Sequence, residues 1–251
     1  MADLEYARLY LSLQLNEAIC WWCYYIREIS WQLLIALLAY LCVCVFLYAV
    51  LRRVGHAAWQ LPGPPGRLLL VTAHPDDEVM FFGPLVYWLA RSEASEIYLL
   101  CLSMGGDRRR IDELWACTKV LGIPEANVTI VILANECAGV ASCRTTRACS
   151  GRQTQSRKAS CNCKLYVLES VNIIRKYIQL LDLPVSLLSA PYWYLVTYEQ
   201  KRTIKSAMAA HKSQYVWFRR LYMIFSRYTF INTLQEVSAL DLELDLQFDE
   251  D

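Results

Sequence analysis

Short apolar runs alternate with amphipathic segments between residues 67 and 133. Residues 67–73, 95–102 and 128–133 are rich in Leu, Val and Ile and have the length of buried strands. Residues 78–90 and 110–121 repeat their apolar positions with the period of a helix. Because strands and helices follow one another with short connections, the pattern predicts right-handed βαβ units and a parallel sheet.

The pattern changes after residue 133. Residues 137–168 contain five cysteines, six Lys or Arg and no acid, and they have neither the helical nor the strand period. Helical periodicity returns at 168–181 and from 199 to 228, and the tail at 236–251 has seven acids and no base. We therefore expect one domain at 67–235 with an atypical, incomplete middle, followed by a solvated acidic tail.

A long apolar segment precedes this domain. Residues 33–51 form nineteen consecutive positions without a charge, which nearly cross a hydrocarbon core of roughly 30 Å as a helix. The sequence predicts a transmembrane helix there, after a short luminal or interfacial segment at 1–32 and before a Gly/Pro-containing linker at 52–66. The alternatives are a buried core helix and a signal peptide, the latter disfavoured by the acidic start of the chain.

Basic residues flank the apolar segment unequally. Arg52, Arg53 and Arg67 follow it, whereas only Arg27 closely precedes it. Since positive residues stay on the cytosolic side, we expect a single-pass protein whose domain faces the cytosol.

Composition and charge narrow the class of protein. The hydrophobic fraction is 56%, above the usual 45–50%, which excludes a disordered chain and agrees with a membrane segment. The net charge of +1 gives no case for nucleic-acid binding. Eleven cysteines are scattered through a chain too long for a small secreted disulfide scaffold, so a reducing compartment is favoured.

Chemistry-bearing residues follow the first predicted strand, in the run Ala73-His74-Pro75-Asp76-Asp77-Glu78. Open α/β sheets bind ligands at the carboxyl ends of their strands. An imidazole and a carboxylate suit zinc, and a second, uncoordinated carboxylate can act as a general base toward a metal-bound water. The alternative is structural, with the acids serving only to cap a helix or to favour its dipole.

The stretch LLLVTAHPDDEVMFFGP resembles the first motif of the LmbE-like de-N-acetylases. The likeness continues through YLLCLSMGG, RRRIDELWACTKVLGIP, LESVNIIRKYIQLLDLP and AAHKSQYVWFRRLYMIFSRY, and so covers most of residues 68–133 and 165–234. The C-terminal block is most similar to the branch that acts on N-acetylglucosaminyl-phosphatidylinositol.

The resemblance implies an α/β fold with a Rossmann-like doubly wound parallel sheet. It implies a deacetylase of GPI-anchor biosynthesis: zinc-dependent hydrolysis of the N-acetyl group of a phosphatidylinositol glycolipid, at the endoplasmic reticulum membrane, with the catalytic domain in the cytosol. His74 and Asp77 match the family's metal ligands, and Asp76 matches its general base.

Two further residues match weaker family motifs as substrate-binding residues. Arg110 lies in R-x-x-E with Glu113, and His211 lies in A-H-K-S-Q. The alternatives are a surface ion pair between Arg110 and Glu113 and a purely structural histidine.

The sequence departs from the family in its middle. The family's third zinc ligand is a histidine in a later H-x-x-H element, and this chain has only His56, His74 and His211. A missing exon or a shifted reading frame is the simplest explanation of residues 137–163, and replacement of the histidine by cysteines is another. The alternative function is therefore a membrane-anchored isoform without a complete zinc site.

Residues 201–227 contain seven basic residues and no acid, interleaved with aromatic residues from Tyr215 onward. A basic, aromatic helix can lie at an anionic membrane surface. The alternative is an amphipathic core helix with a solvated face.

Overall fold

The structure, a computed structural model, describes residues 2–54, 66–131 and 164–237. It divides into two compact units, residues 1–50 and 51–251. Most of the predicted linker, the Cys-rich segment 137–163 and the tail after residue 237 lie outside the described residues.

The first unit consists of helix α1, which spans Ala2–Val54 and whose last four residues belong to the second unit. It contains a stretch, Arg8–Arg53, that is long and apolar enough to cross a membrane by length and composition. The predicted span at 33–51 lies inside α1. The helix also continues through residues 2–32, because few residues that break helices occur there, so the separate N-terminal segment is not distinguished by its secondary structure.

A parallel sheet begins the second unit. Its strands are β1 (Arg67–Thr72), β2 (Glu96–Cys101) and β3 (Val128–Ile130), in the order β1-β2-β3. The predicted parallel sheet is thereby confirmed for these strands. One face of β1 is buried through Leu70, while Leu69 and Val71 are exposed among the described residues, so the prediction of a wholly buried strand holds for one face only.

The predicted helix at 78–90 is interrupted. It forms as α2 (Asp77–Met80) and α3 (Gly83–Leu89). Pro84 lacks a backbone N–H and is tolerated only in the first turn of a helix, so a new helix starts there. The next helix, α4 (Arg109–Leu121), agrees with its prediction and ends at Gly122, whose φ of 89° suits glycine.

The second half of the domain differs from the prediction. Its strands β4 (Leu165–Leu168), β5 (Tyr192–Leu195) and β6 (Ile231–Val237) form an antiparallel sheet in the order β4-β6-β5. In the described residues the parallel sheet is therefore not extended by these strands, as a doubly wound sheet would require. The four-residue strands β4 and β5 are too short to show a period, and the central β6 depends on pairing with these two distant segments.

Four helices accompany this sheet: α5 (Ile173–Tyr177), α6 (Leu183–Ser189), α7 (Tyr198–Ala210) and α8 (Trp217–Phe225). The last two replace the continuous pattern expected from 199 to 228. Asn232 of β6 joins the two halves, because its amide accepts a hydrogen bond from the Leu85 N–H at 3.0 Å and donates to the Phe81 carbonyl at 2.7 Å.

A buried ionic network fixes the helices beside the second sheet. Asp182 binds Arg175 of α5 and the fully buried Arg227, both at 2.6 Å, and Glu169 lies 3.6 Å from each of these arginines. Because each buried charge has a partner of opposite sign, the network holds α5 to the domain without leaving an isolated charge.

Lys201 of α7 is another buried charge, and its effect on the stability of the domain can be measured. Burial, followed by the positive charge of Lys205, lowers the pKa of Lys201 to about 8, and its ammonium donates to the Ile224 carbonyl at 3.0 Å. A lowered lysine pKa means that the buried ammonium is less stable in the folded chain than in the unfolded one, so this group destabilises the folded state fully below pH 8 and progressively less above it. We expect Lys201→Met to raise the free energy of unfolding by about 2 kcal/mol near pH 7.

The lowered pKa of Lys201 also makes the free energy of unfolding depend on pH. The free energy of unfolding of the unsubstituted chain should rise from pH 8 toward the unfolded lysine pKa of about 10.4, and this rise should disappear in Lys201→Met. Denaturant unfolding in mild detergent measures both effects. The exposed Lys119→Met is the control and should change neither; an unchanged pH slope in Lys201→Met would refute the assignment.

Candidate active site

The loop between β1 and α2 carries the run of acids. Asp76 has φ 128° and ψ −22°, a conformation that costs a non-glycine residue about 1–3 kcal/mol. Its backbone N–H donates to Glu78 Oε2 at 2.9 Å, and its carbonyl accepts from the Met80 N–H at 3.0 Å. The Asp76 side chain makes no capping hydrogen bond to α2, so the helix-cap alternative is wrong for this residue.

His74 and Asp77 lie side by side at the end of β1. The His74 Nδ1 atom is 3.7 Å from Asp77 Oδ2, which also accepts a hydrogen bond from the His74 backbone N–H at 2.9 Å. More than half of the His74 side chain is exposed. The structure therefore brings together the two predicted metal ligands with an imidazole nitrogen accessible from solvent.

Asp76 turns its carboxylate toward two arginines. Its Oδ2 atom lies 2.8 Å from Arg219 Nη1, and its Oδ1 atom lies 3.5 Å from Arg110 Nη2. Burial raises the pKa of Asp76, an effect that the positive charges of Arg219 and Arg110 oppose without cancelling. The Asp76 carboxylate is therefore buried between two arginine side chains, and it binds a proton more readily than an ordinary aspartate does.

Arg110 is buried and stabilises the loop between β1 and α2. Its guanidinium donates to the Pro75 carbonyl at 2.8 Å and to the Gly105 carbonyl at 3.0 Å. Glu113 instead accepts two hydrogen bonds from Ser213, so the predicted alternative of an Arg110–Glu113 surface pair is wrong. Gly105 has φ +67°, and a Cβ there would lie 2.0 Å from Arg110 Nη1, so this position needs glycine.

Glu78 makes a second contact that sequence reasoning missed. Glu78 and His211 are fully buried, and His211 Nε2 lies 2.7 Å from Glu78 Oε1. The Cys117 thiol donates to the same oxygen at 3.3 Å. Burial acts to raise the pKa of Glu78, but the hydrogen bond and charge of His211 outweigh it and the pKa is lowered. Glu78 therefore anchors the loop to α7 and α4 instead of merely favouring the dipole of α2.

Two groups of metal-ligating side chains follow from this geometry. In residues 2–54, 66–131 and 164–237, the one set of three potential ligands within 4.8 Å of one another is Glu78, Cys117 and His211. The ligand atoms of this set are already hydrogen-bonded to one another. Burial also raises the pKa of Cys117 well above its usual value, which keeps the thiol protonated and disfavours metal binding there. The pair His74 and Asp77 is the more accessible group.

Comparison with known proteins supports a family assignment. A family profile described as GlcNAc-PI de-N-acetylase matches residues 69–140. The N-acetylglucosaminyl-phosphatidylinositol de-N-acetylase of Bos taurus is 38% identical over 216 residues, covering 69% of this chain and 85% of that protein. The chain belongs to the GlcNAc-PI de-N-acetylase family. The resemblance inferred from the motifs is thus confirmed, and with it the assignment to a family of enzymes.

More distant members of the GlcNAc-PI de-N-acetylase family cover a similar share of the chain. The protein named as the probable enzyme in Schizosaccharomyces pombe is 29% identical over 215 residues, covering 68% of this chain and 87% of that protein. The corresponding Dictyostelium discoideum protein is 30% identical over 243 residues, covering 68% and 93%. No solved structure gives a significant match. The segment 69–140 includes the whole acidic loop and Arg110, whereas His211 and Arg219 lie outside it.

Proposed function

We propose that this chain hydrolyses the N-acetyl group of N-acetylglucosaminyl-phosphatidylinositol, releasing acetate and glucosaminyl-phosphatidylinositol. The observation that carries the proposal is the pair of the exposed His74 and the partly buried Asp77 at the carboxyl end of β1, within the segment that matches the family. The three relatives are named as de-N-acetylases of this lipid, two of them as probable ones, and this naming supports the proposal.

The donor set suits a zinc ion. At tetrahedral zinc, with bonds of about 2.0–2.1 Å, two ligand atoms lie roughly 3.4 Å apart, close to the 3.7 Å between His74 Nδ1 and Asp77 Oδ2. His74 and Asp77 would hold the ion. A bound zinc ion polarises a carbonyl and lowers the pKa of water.

Asp76 is the proposed general base. A carboxyl whose pKa is raised toward the working pH takes a proton from water more readily than an ordinary aspartate. The same carboxyl then returns the proton to the departing sugar amine, so its charge is unchanged after one turnover. Arg110 and Arg219 hold the carboxylate in place for both steps.

Arg110 and His211 are proposed as positioning residues. Two guanidinium nitrogens of Arg110 donate hydrogen bonds to the Pro75 and Gly105 carbonyls. His211 is fully buried against Glu78. These contacts support roles in shaping the loop. The substrate contacts expected from the sequence stay predictions.

A second candidate function is favoured by one observation. Among the described residues, no third metal-ligating side chain joins His74 and Asp77 in a cluster. A membrane-anchored family member without catalytic zinc would have this arrangement.

Deacetylation by the purified full chain in detergent separates the two functions. With synthetic N-acetylglucosaminyl-phosphatidylinositol and added zinc, we expect acetate release from the unsubstituted chain and none from His74→Ala. A folded chain that retains zinc and releases no acetate would contradict the enzymatic proposal. A folded chain that retains no zinc would establish the second candidate.

The proposed topology makes a prediction at Asn127. This residue begins an N-x-T sequon, and its side chain donates to the Ile97 carbonyl at 3.1 Å. We propose that the domain faces the cytosol at the endoplasmic reticulum membrane, where oligosaccharyl transfer does not occur. Expression with microsomes should therefore give a chain whose mobility is insensitive to endoglycosidase. A shift that vanishes in Asn127→Gln would reverse the orientation.

A further inference from the structure

Helix α8 exposes large apolar side chains that a soluble surface rarely presents together. Trp217 is 72% exposed, and Phe218, Leu221 and Phe225 are each about half exposed. The opposite face of the helix is buried through Tyr222 and Met223. The helix is thus anchored on one side and apolar on the other.

Helix α5 extends this surface. It packs against α8, with the rings of Tyr177 and Tyr222 6.5 Å apart and edge-on. Ile173 and Ile174 of α5 are 73% and 70% exposed. We name the combined surface the α5–α8 patch, formed by Ile173, Ile174, Trp217, Phe218, Leu221 and Phe225. Exposed apolar side chains grouped on two packed helices mark an interaction site.

The charges around the α5–α8 patch select its occupant. Lys212 precedes α8, Arg220 lies on it and Lys176 lies on α5, whereas Arg219 and Arg175 are paired with Asp76 and Asp182 inside the domain. Arg220 is exposed beside Trp217, and the Lys176 ammonium lies 5.3 Å from the Tyr222 ring. Aromatic and aliphatic side chains beside lysine and arginine side chains match the interface of a bilayer that contains anionic lipid.

We propose that the α5–α8 patch docks the domain onto an anionic lipid bilayer, with its apolar side chains in the acyl-chain boundary. The proposal deepens the proposed function, on which it rests for the identity of the substrate lipid. It adds a second membrane contact to the one proposed for α1.

Docking at this surface places lipid next to the candidate active site. The outer face of α8 carries Trp217 and Leu221, while Arg219 of the same helix reaches inward to Asp76 at 2.8 Å. A helix with its side chains is about 10–12 Å across, so the acidic loop lies roughly one helix diameter from the docked bilayer. A sugar carried on a lipid head group can reach the loop over that distance without leaving the membrane.

Photolabelling of the full chain tests the proposal. The chain is reconstituted into vesicles of phosphatidylcholine and phosphatidylinositol that contain a phosphatidylcholine with a diazirine in its acyl chain. After irradiation, labelled peptides are identified by mass spectrometry. We expect label in residues 216–226 and 173–177 as well as in α1, and less label in both segments when phosphatidylinositol is omitted or salt is raised.

Variants identify the side chains responsible. Trp217→Asp combined with Leu221→Asp should lower the label in 216–226 by roughly tenfold, because two apolar side chains that would insert into the bilayer are lost. Leu188→Asp is the matched control, since Leu188 is 90% exposed on α6 outside the patch, and it should leave the label unchanged.

Two results would overturn the proposal. Label confined to α1, or equal label in residues 216–226 of the Trp217/Leu221 double variant, would show that the patch does not contact lipid. His74→Ala should be labelled as the unsubstituted chain is. The lipid contact and the deacetylase activity can therefore fail separately.

Discussion

Asp76→Asn should lower the deacetylation rate by about a hundredfold to ten-thousandfold while leaving bound zinc in place, as expected when a general base is removed. Asparagine keeps the size of the side chain and tolerates positive φ better than most residues, so the loop conformation at φ 128° survives the change. An amide cannot accept the proton from water, and the effect should therefore appear in kcat more than in KM.

The Asp76 prediction has a matched control on α4. Asp112 is exposed, and Asp112→Asn should leave kcat, KM and zinc content unchanged. Turnover within a few-fold of the unsubstituted rate in Asp76→Asn would exclude Asp76 as the base. Loss of zinc along with turnover would instead assign Asp76 to metal binding.

Breaking the Glu78–His211 pair should have the largest effect on stability. Both side chains are fully buried and 2.7 Å apart, so Glu78→Leu or His211→Leu leaves one polar partner without compensation. We expect each single substitution to lower the free energy of unfolding by about 3–5 kcal/mol, and the double substitution to recover most of that loss. Denaturant unfolding in mild detergent, arranged as a double-mutant cycle, measures the coupling.

An exposed pair provides the comparison for that cycle. Glu113 accepts hydrogen bonds from Ser213 at the surface, and Glu113→Gln should change the free energy of unfolding by less than about 1 kcal/mol. Additive losses from Glu78→Leu and His211→Leu would show that the two residues act independently, which contradicts the anchoring role.

Local sequence signals predicted the first half of the fold well. The runs that became β1 and β2 and the periodic segment that became α4 are each complete within a dozen residues. The antiparallel sheet was missed because its pairing depends on contacts between distant segments, such as Leu195 with Ile231. The break between α2 and α3 had a visible signal in Pro84.

The candidate site was predicted only where its members are adjacent in sequence. His74 and Asp77 were identified from their spacing, and the structure brings them together. The partner of Glu78 lies 133 residues away at His211, and the partner of Asp76 lies on α8 at Arg219. No local period encodes such contacts. Each partner nevertheless lies in a segment that resembles a family motif, which was the available signal.

The zinc content of the purified full chain decides whether His74 and Asp77 hold a metal ion. Elemental analysis should find about one zinc ion per unsubstituted chain and close to none in His74→Ala or Asp77→Ala. Cys117→Ser and the exposed Glu125→Ala should retain the ion, because His74 and Asp77 would hold zinc while Cys117 only donates a hydrogen bond to Glu78. Full zinc in His74→Ala, or loss of zinc in Cys117→Ser alone, would contradict the assignment of His74 and Asp77 as the metal ligands.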